Sequence, residues 1–265
     1  KLAEIIGNYD GLAIRSSTKA KGEIITNAKK LKVIGRAGIG VDNVDISAAT
    51  QKGIVVMNTP FGNSITAAEH AIAMMLALAR DIPQANASTH AGKWEKSRFM
   101  GTEVTGKTVG IIGCGNIGSI FADRAIGLRM KVIGFDPYLT PKRATELGIE
   151  KVDLDTLFVR ADFITLHTPL TEETKNIINA KNITKMKGGV RLINCARGGL
   201  IVEEDLKVGL ESGKIASAAL DVLSAEPAVE NILFNMGNVV LTPHLGASTT
   251  EAQEKVAEQV AEQMA

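Results

Sequence analysis

Short apolar runs alternate with helix-patterned segments along the chain, the signature of a parallel α/β sheet. Early runs are GLAIR at 11–15, KVIG at 32–35 and IVVM at 54–57, with a helical pattern near 44–52. A long helix is expected over 64–80, because SITAAE opens it with a cap-type serine and an early acid. Ala67, Ala68, Ala71, Ile72, Met74, Met75, Leu76 and Leu78 make that helix apolar nearly all the way round. It therefore reads as buried on every side, either inside a core or under a partner subunit. A loop rich in Lys and Gly follows, HAGKWEKSRFMG at 90–101. After it come six strand patterns: TVGIIG (108–113), KVIGF (131–135), DFITLHT (162–168), VRLINCA (190–196), ASAALDV (216–222) and NVVLTP (238–243). Helix patterns separate most of them, which predicts a doubly wound parallel sheet.

The 265 residues exceed one average domain, and 45% hydrophobic with 22% charged residues describes an ordinary soluble globular chain. The longest strongly apolar run, 70–79, is too short to cross a bilayer. No export signal is recognised, so the cytoplasm is expected. Cys114 and Cys195 form no C-x-x-C and read as structural thiols. A net charge of +1 argues against a nucleic-acid partner. Residues 1–36 nonetheless hold eight Lys or Arg against three acids, a local +5, which suits either a solvated face or a cleft that steers a small anion. The chain starts without Met and stops inside a helical pattern, so both ends read as incomplete.

The first strand of the second series runs into GCGNIGS, where Gly113, Gly115 and Gly118 satisfy G-x-G-x-x-G. This spacing gives a tight turn, close backbone approach to a pyrophosphate, and close helix–strand packing. The helix that follows presents free N–H groups near Asn116 and Ile117. A second strand ends in Asp136, eighteen residues beyond Gly118. A carboxylate there accepts ribose hydroxyls and repels a 2′-phosphate, so NAD is favoured over NADP.

Ligands of open α/β sheets bind at the carboxyl ends of the strands. Arg197 stands there beyond the fourth strand, Asp221 ends the fifth with Glu226 just after it, and His244 ends the sixth. Taken alone, Arg197 reads equally well as a surface arginine on a turn. Together the set suits hydride transfer at a 2-hydroxy acid. A guanidinium grips a carboxylate and the C2 oxygen, a histidine moves the hydroxyl proton, and a buried carboxylate fixes that histidine's tautomer.

GCGNIG, Asp136, HTP, NCARGG, AEP and PHLGAS, in this order, resemble the D-2-hydroxyacid dehydrogenase family over essentially the whole chain. The segments GRAGIGVDNVD, NSITAAEHAIAMMLALAR and GKWEKSRFMGTEVTGKT resemble its branch acting on 3-phosphoglycerate. The resemblance implies a Rossmann-type doubly wound parallel sheet, 63–243, inserted into a smaller flavodoxin-like α/β substrate domain built from 1–62 and 244–265. The smaller domain then lacks at least one strand–helix unit at its start. Arg197 would bind substrate, Glu226 would support the histidine, and His244 would be the acid/base. NAD contacts would come from Asn116, Ile117, Asp136, Thr168, Cys195, Ala196, Asp221 and the stretch from His244 through Gly246 to Ala247. Ile39 takes a position that some relatives fill with threonine, so no side-chain hydrogen bond is carried over there.

A phosphorylated substrate calls for cations beyond Arg197. Arg15 and Arg36, each at a strand end, are the first candidates, and Lys96 and Arg98 could reach in, even from a partner subunit. The leading expectation is oxidation of 3-phospho-D-glycerate to 3-phosphohydroxypyruvate by a homodimer or homotetramer that binds neither membrane nor nucleic acid. The alternatives are a reductase of hydroxypyruvate, glyoxylate or a similar 2-keto acid, and a non-catalytic NAD-sensing scaffold. His70 and His90, the latter in a loop, read as structural, His167 receives no proton chemistry, and no Cys/His cluster has zinc spacing.

Overall fold

All the strand pairing in this chain is parallel. The computed structural model describes residues 1–265, and their contacts divide into two units, Lys1–Thr66 with Ala247–Ala265, and Ala67–Gly246. The first unit runs α1 (Leu2–Ile5), β1 (Gly11–Ile14), α2 (Glu23–Asn27), β2 (Val33–Arg36), α3 (Ile46–Gln51) and β3 (Val55–Asn58). Its sheet has the order β1-β2-β3. Ile6, Ile14, Ile25, Ile34 and Ile54 form its core. Val256, Val260 and Met264 of the carboxyl-terminal helix, Thr250–Met264, pack with Ala37.

The second unit takes in most of α4 (Ser64–Arg80), then α5 (Ile82–His90), β4 (Thr108–Ile112), α6 (Asn116–Gly127), β5 (Lys131–Phe135), α7 (Pro141–Glu146), β6 (Glu150–Lys151) and α8 (Leu154–Arg160). It continues through β7 (Phe163–Leu166), α9 (Ala180–Lys185), β8 (Val190–Asn194), α10 (Glu203–Glu211), β9 (Ile215–Leu220) and β10 (Val239–Leu241). Seven strands pair in the order β10-β9-β8-β7-β4-β5-β6. The expected doubly wound sheet is therefore present, with β6 added as a two-residue edge strand too short and too exposed to leave an apolar pattern.

Alternate residues of each strand face opposite cores, as the two-residue period requires. Val109, Ile111, Phe163, Ile193 and Ala219 meet Phe121 of α6 and Met75 of α4 on one face. Ile112, Ile164, Leu192 and Ala218 meet Phe158 of α8 and Leu206 of α10 on the other. Two corrections concern the first face. Residues Ile65, Glu69, Ala73 and Arg80 of α4 are exposed, so the core of this chain covers one broad face of the helix and not its whole circumference. His90 ends α5 instead of sitting in a loop. The segment IPQANASTH has little apolar period, and its helix was not legible for that reason.

Register fixes what the carboxyl edge carries. Ile112 pairs with both Phe135 and Leu166, Leu166 with Asn194, Asn194 with Leu220, and Leu220 with Leu241. Gly113, Asp136, His167, Cys195, Asp221 and Thr242 accordingly leave the sheet side by side. The order turns back between β4 and β7, so the glycine turn and Thr168 lie where open α/β sheets bind ligands.

Several helices here open on a capping side chain, such as Thr140 for α7, Asp153 for α8 and Asn179 for α9. α6 opens on Gly115 with none. Its close packing on β4 depends on Gly118, where a Cβ would stand 2.0 Å from the Gly113 carbonyl oxygen. Backbone cannot yield as a flexible side chain would. Gly118→Ala is expected to destabilise the protein by about 2 kcal/mol or more, read as a lowered Tm. An unchanged Tm would contradict this packing.

Candidate active site

The turn after β8 is rigid because Asn194, itself buried, holds both of its sides. Its Oδ1 accepts from Ala196 N at 3.0 Å, and its Nδ2 donates to the Arg197 carbonyl at 2.9 Å. Arg197 Nη1 donates back to Ala196 O at 2.6 Å. A Cβ on Gly198 would stand 1.9 Å from Leu223 O, so only glycine lets this turn lie against the segment after β9. Sequence reasoning passed over Asn194. The signal was there, a lone amide closing the apolar run VRLI.

The stretch after β10 is organised by Asp221, which is 1% exposed. Its Oδ1 accepts from Thr242 Oγ1 at 2.5 Å and Leu245 N at 2.7 Å, and its Oδ2 from Gly246 N at 2.8 Å. His70 Nε2 of α4 lies 3.2 Å from Oδ1. Between these anchors His244 takes a left-handed backbone, φ +57, with its N–H on Asp221 O at 2.9 Å. Burial opposes the Asp221 charge, yet hydrogen bonds from His70, Thr242 and Leu245 hold its carboxyl below the ordinary range.

His244 Nδ1 is 2.7 Å from Glu226 Oε2. A carboxylate only accepts, so Nδ1 carries the proton and Nε2 is left as the basic nitrogen. The Glu226 hydrogen bond raises the His244 pKa above the ordinary imidazole value against burial. The charges of Glu226 and Asp221 add to the rise, and that of Arg197 opposes it. Burial would raise Glu226, but its bond with the histidine leaves it below its usual value. The carboxylate beside the histidine is thus half-exposed, its side chain 37% accessible against 45% for His244. The fully buried carboxylate is Asp221, and it holds backbone.

The glycine turn is tied to β5 by Asp136, whose Oδ2 accepts from Cys114 N at 2.8 Å and whose Oδ1 accepts from Tyr138 N at 2.8 Å. Three features fit a dinucleotide here. The start of α6 has no side-chain cap, a Cβ on Gly115 would meet nothing within 4 Å, and Thr168 Oγ1 is buried without a partner. Gly246 has already committed its N–H to Asp221, and Ala196 its own to Asn194. His167 beside Thr168 is pushed down to about 3 by burial, so it stays neutral. The Cys195 thiol is pushed up by burial and then by the Asp221 charge, while Cys114 is raised to about 12. His70, Cys195 and Asp221 offer ligand atoms within 4.8 Å of one another. Burial keeps that thiol protonated, and the carboxylate already accepts from Thr242, Leu245 and Gly246.

The other expected residues fall elsewhere. Arg15 and Arg36 belong to the three-stranded unit, at the ends of β1 and β2, where Asn43 donates to Arg15 O at 2.9 Å and accepts from Arg36 Nε at 3.5 Å. Lys96 and Arg98 lie on a single 3₁₀ turn, with Arg98 on Glu95 at 3.1 Å. Ala247 opens the terminal segment of the three-stranded unit.

The model of the D-isomer specific 2-hydroxyacid dehydrogenase NAD-binding domain matches residues 72–246. This chain belongs to that family. It is 53% identical over 264 residues to the D-3-phosphoglycerate dehydrogenase of Synechocystis sp., covering 100% of this chain and 48% of that protein. The human D-3-phosphoglycerate dehydrogenase is 50% identical, over 96% of this chain and 48% of its own length. The chain therefore spans about half the length of the curated relatives it matches. Among solved structures, a glyoxylate reductase from Paecilomyes thermophila aligns with a TM-score of 0.90 at 36% identity, over 99% of this chain and 83% of its own. The matched model is an NAD-binding domain, and the uncapped α6 with its open Gly115 suits NAD. No helix is long and apolar enough to cross a membrane.

Gly115→Ala separates cofactor space from packing. With nothing for its Cβ to meet, the variant is expected to keep its Tm while binding NAD at least about tenfold more weakly, ~1.4 kcal/mol, by calorimetric titration. Undiminished NAD affinity would place the pyrophosphate elsewhere.

Proposed function

We propose that this chain is the dehydrogenase part of an enzyme that oxidises 3-phospho-D-glycerate to 3-phosphohydroxypyruvate with NAD, the opening step of serine synthesis. The observation that carries the reading is the His244–Glu226 pair, set beside Arg197 on the edge that holds the dinucleotide motif. Arg197 grips the substrate carboxylate and polarises the C2 oxygen through charge-assisted bonds. His244 Nε2 takes the C2 hydroxyl proton while the C2–H bond breaks, its electron pair leaving with the hydrogen, and the C2–O bond becomes a carbonyl. NAD, when bound, supplies the acceptor for that hydride. Glu226 stabilises the imidazolium that results, which afterwards releases its proton to water. In the reverse direction the same histidine returns the proton.

Arg15 and Arg36, with their backbone and side chain joined through Asn43, are assigned to the substrate phosphate. Lys96 and Arg98 are assigned a secondary part, contributed by a second copy in a cytoplasmic homodimer or homotetramer. Exposed Trp94 and Met100 on the same loop support such pairing. The relatives named D-3-phosphoglycerate dehydrogenase, 50–53% identical along this chain, support the choice of acid.

NADH absorbance with the full-length protein tests the substrate. Turnover of 3-phosphoglycerate well above that of glycerate, lactate or glycolate is expected, and Arg15→Ala with Arg36→Ala should raise KM for the phosphorylated acid alone. Efficient reduction of glyoxylate or hydroxypyruvate without phosphoglycerate turnover would favour the 2-keto-acid reductase. No turnover with full NAD affinity would favour a scaffold.

A second test addresses the proton. Deprotonated His244 is the active form in oxidation, and its pKa is raised, so the ascending limb of kcat/KM is expected above pH 6.5. Glu226→Gln should move that limb to lower pH and cut the maximum rate by about a hundredfold, ~2.7 kcal/mol of barrier. A limb that stays in place would remove Glu226 from its assigned part.

A further inference from the structure

Glu203, the first residue of α10, turns its carboxylate inward and is only 9% exposed, while its neighbour Glu204 faces solvent. Buried carboxylates persist where their oxygens are filled by donors. Here Oε1 accepts from Ser224 N at 2.7 Å and Oε2 from Asn231 Nδ2 at 2.7 Å. The Asn231 amide cannot simply turn over, because its Oδ1 accepts from Leu233 N at 2.9 Å. Ser224 and Asn231 bracket the segment that carries Glu226. Leu223, next to Ser224, donates its N–H to Glu226 Oε1 at 3.2 Å. A single side chain from a helix start therefore grips both ends of the loop that presents the histidine's partner.

We propose that Glu203 is a positioning residue for the reaction, clamping residues 224–231 so that Glu226 stays within hydrogen-bonding distance of His244 Nδ1. This rests on the reading of His244 as the acid/base. Three charged groups act on His244: Glu226 from the clamped loop, Asp221 from the end of β9 and Arg197 from the turn after β8. Only the first depends on the Glu203 clamp. Loosening the clamp removes the largest support of the raised imidazole pKa and leaves the other two charges in place.

The test is the titration of His244 in the full-length protein, followed by NMR of ¹³C-labelled histidine with no substrate present, alongside the pH profile of kcat/KM. Glu203→Gln keeps an acceptor for Ser224 but opposes its own NH₂ to that of Asn231. The His244 pKa is expected to fall toward 6.5, the limb of kcat/KM to follow it, and kcat/KM to drop roughly tenfold to a hundredfold. Adding Asn231→Asp re-forms the pair with reversed polarity. The amide introduced at 203 then donates to the carboxylate introduced at 231, which still accepts from Leu233. This double variant should restore both the titration and the rate. A Glu203→Gln protein with lowered Tm but an unmoved titration would overturn the proposal, as would a double variant that regains stability without the titration. Should Glu203→Gln not fold, Asn231→Ala removes one end of the clamp and must shift the titration in the same direction. Because the titration needs no turnover, a moved His244 with no activity on any 2-hydroxy acid would reject the enzymatic reading and leave the clamp standing.

Discussion

The buried Asp221 carboxylate is the constraint on which the rest of the site depends. A charge 1% exposed carries a heavy desolvation penalty, and it is retained because a threonine hydroxyl, two backbone N–H groups and a histidine converge on it. Two of those donors, Leu245 and Gly246, directly follow His244. The same aspartate's carbonyl accepts the His244 N–H. A left-handed backbone on a non-glycine residue costs of order 1 kcal/mol, and here it is over-determined from both sides. Sheet register supplies the aspartate: β10 pairs with β9 so that Leu241 lies opposite Leu220, and the next residues must meet.

Two carboxylates thus divide two tasks that one could not perform together. A buried acid gripped by Thr242, Leu245, Gly246 and His70 makes a rigid anchor for the backbone around His244. The acid that touches the His244 imidazole does so at Nδ1 and is the more exposed of the two. Glu226 is placed that way, and its bond still outweighs both burial and the opposing Arg197 charge in setting the proton affinity of His244.

The parts legible in the sequence were those written in local pattern. Apolar runs located the long strands, the three glycines marked the turn after β4, polar residues at strand ends marked Arg197, Asp221 and His244, and the family resemblance singled out Glu226. What escaped depends on adjacency across the fold. His70 reaches Thr242 over 172 positions, and nothing in the apolar helix announces that this histidine faces a carboxylate. Glu203 looks like one more acid in a helix's first turn, where acids are common for electrostatic reasons. Only the path of the loop from Ser224 to Asn231 turns it inward. β6 and α5 escaped for a simpler reason, since a two-residue strand and a polar helix carry no period to read.

Every group assigned to proton and carboxylate chemistry stands on the seven-stranded unit, whereas Arg15 and Arg36 stand on the three-stranded one. The distances among Arg197, Glu226 and His244 are therefore set by one sheet's register and by loops anchored within it. The Glu226 bond and the Asp221 and Arg197 charges that set the proton affinity of His244 all belong to that one unit. Changes in Asp221, Glu226 or their supports therefore act on the proton affinity of His244 through contacts made within a single unit.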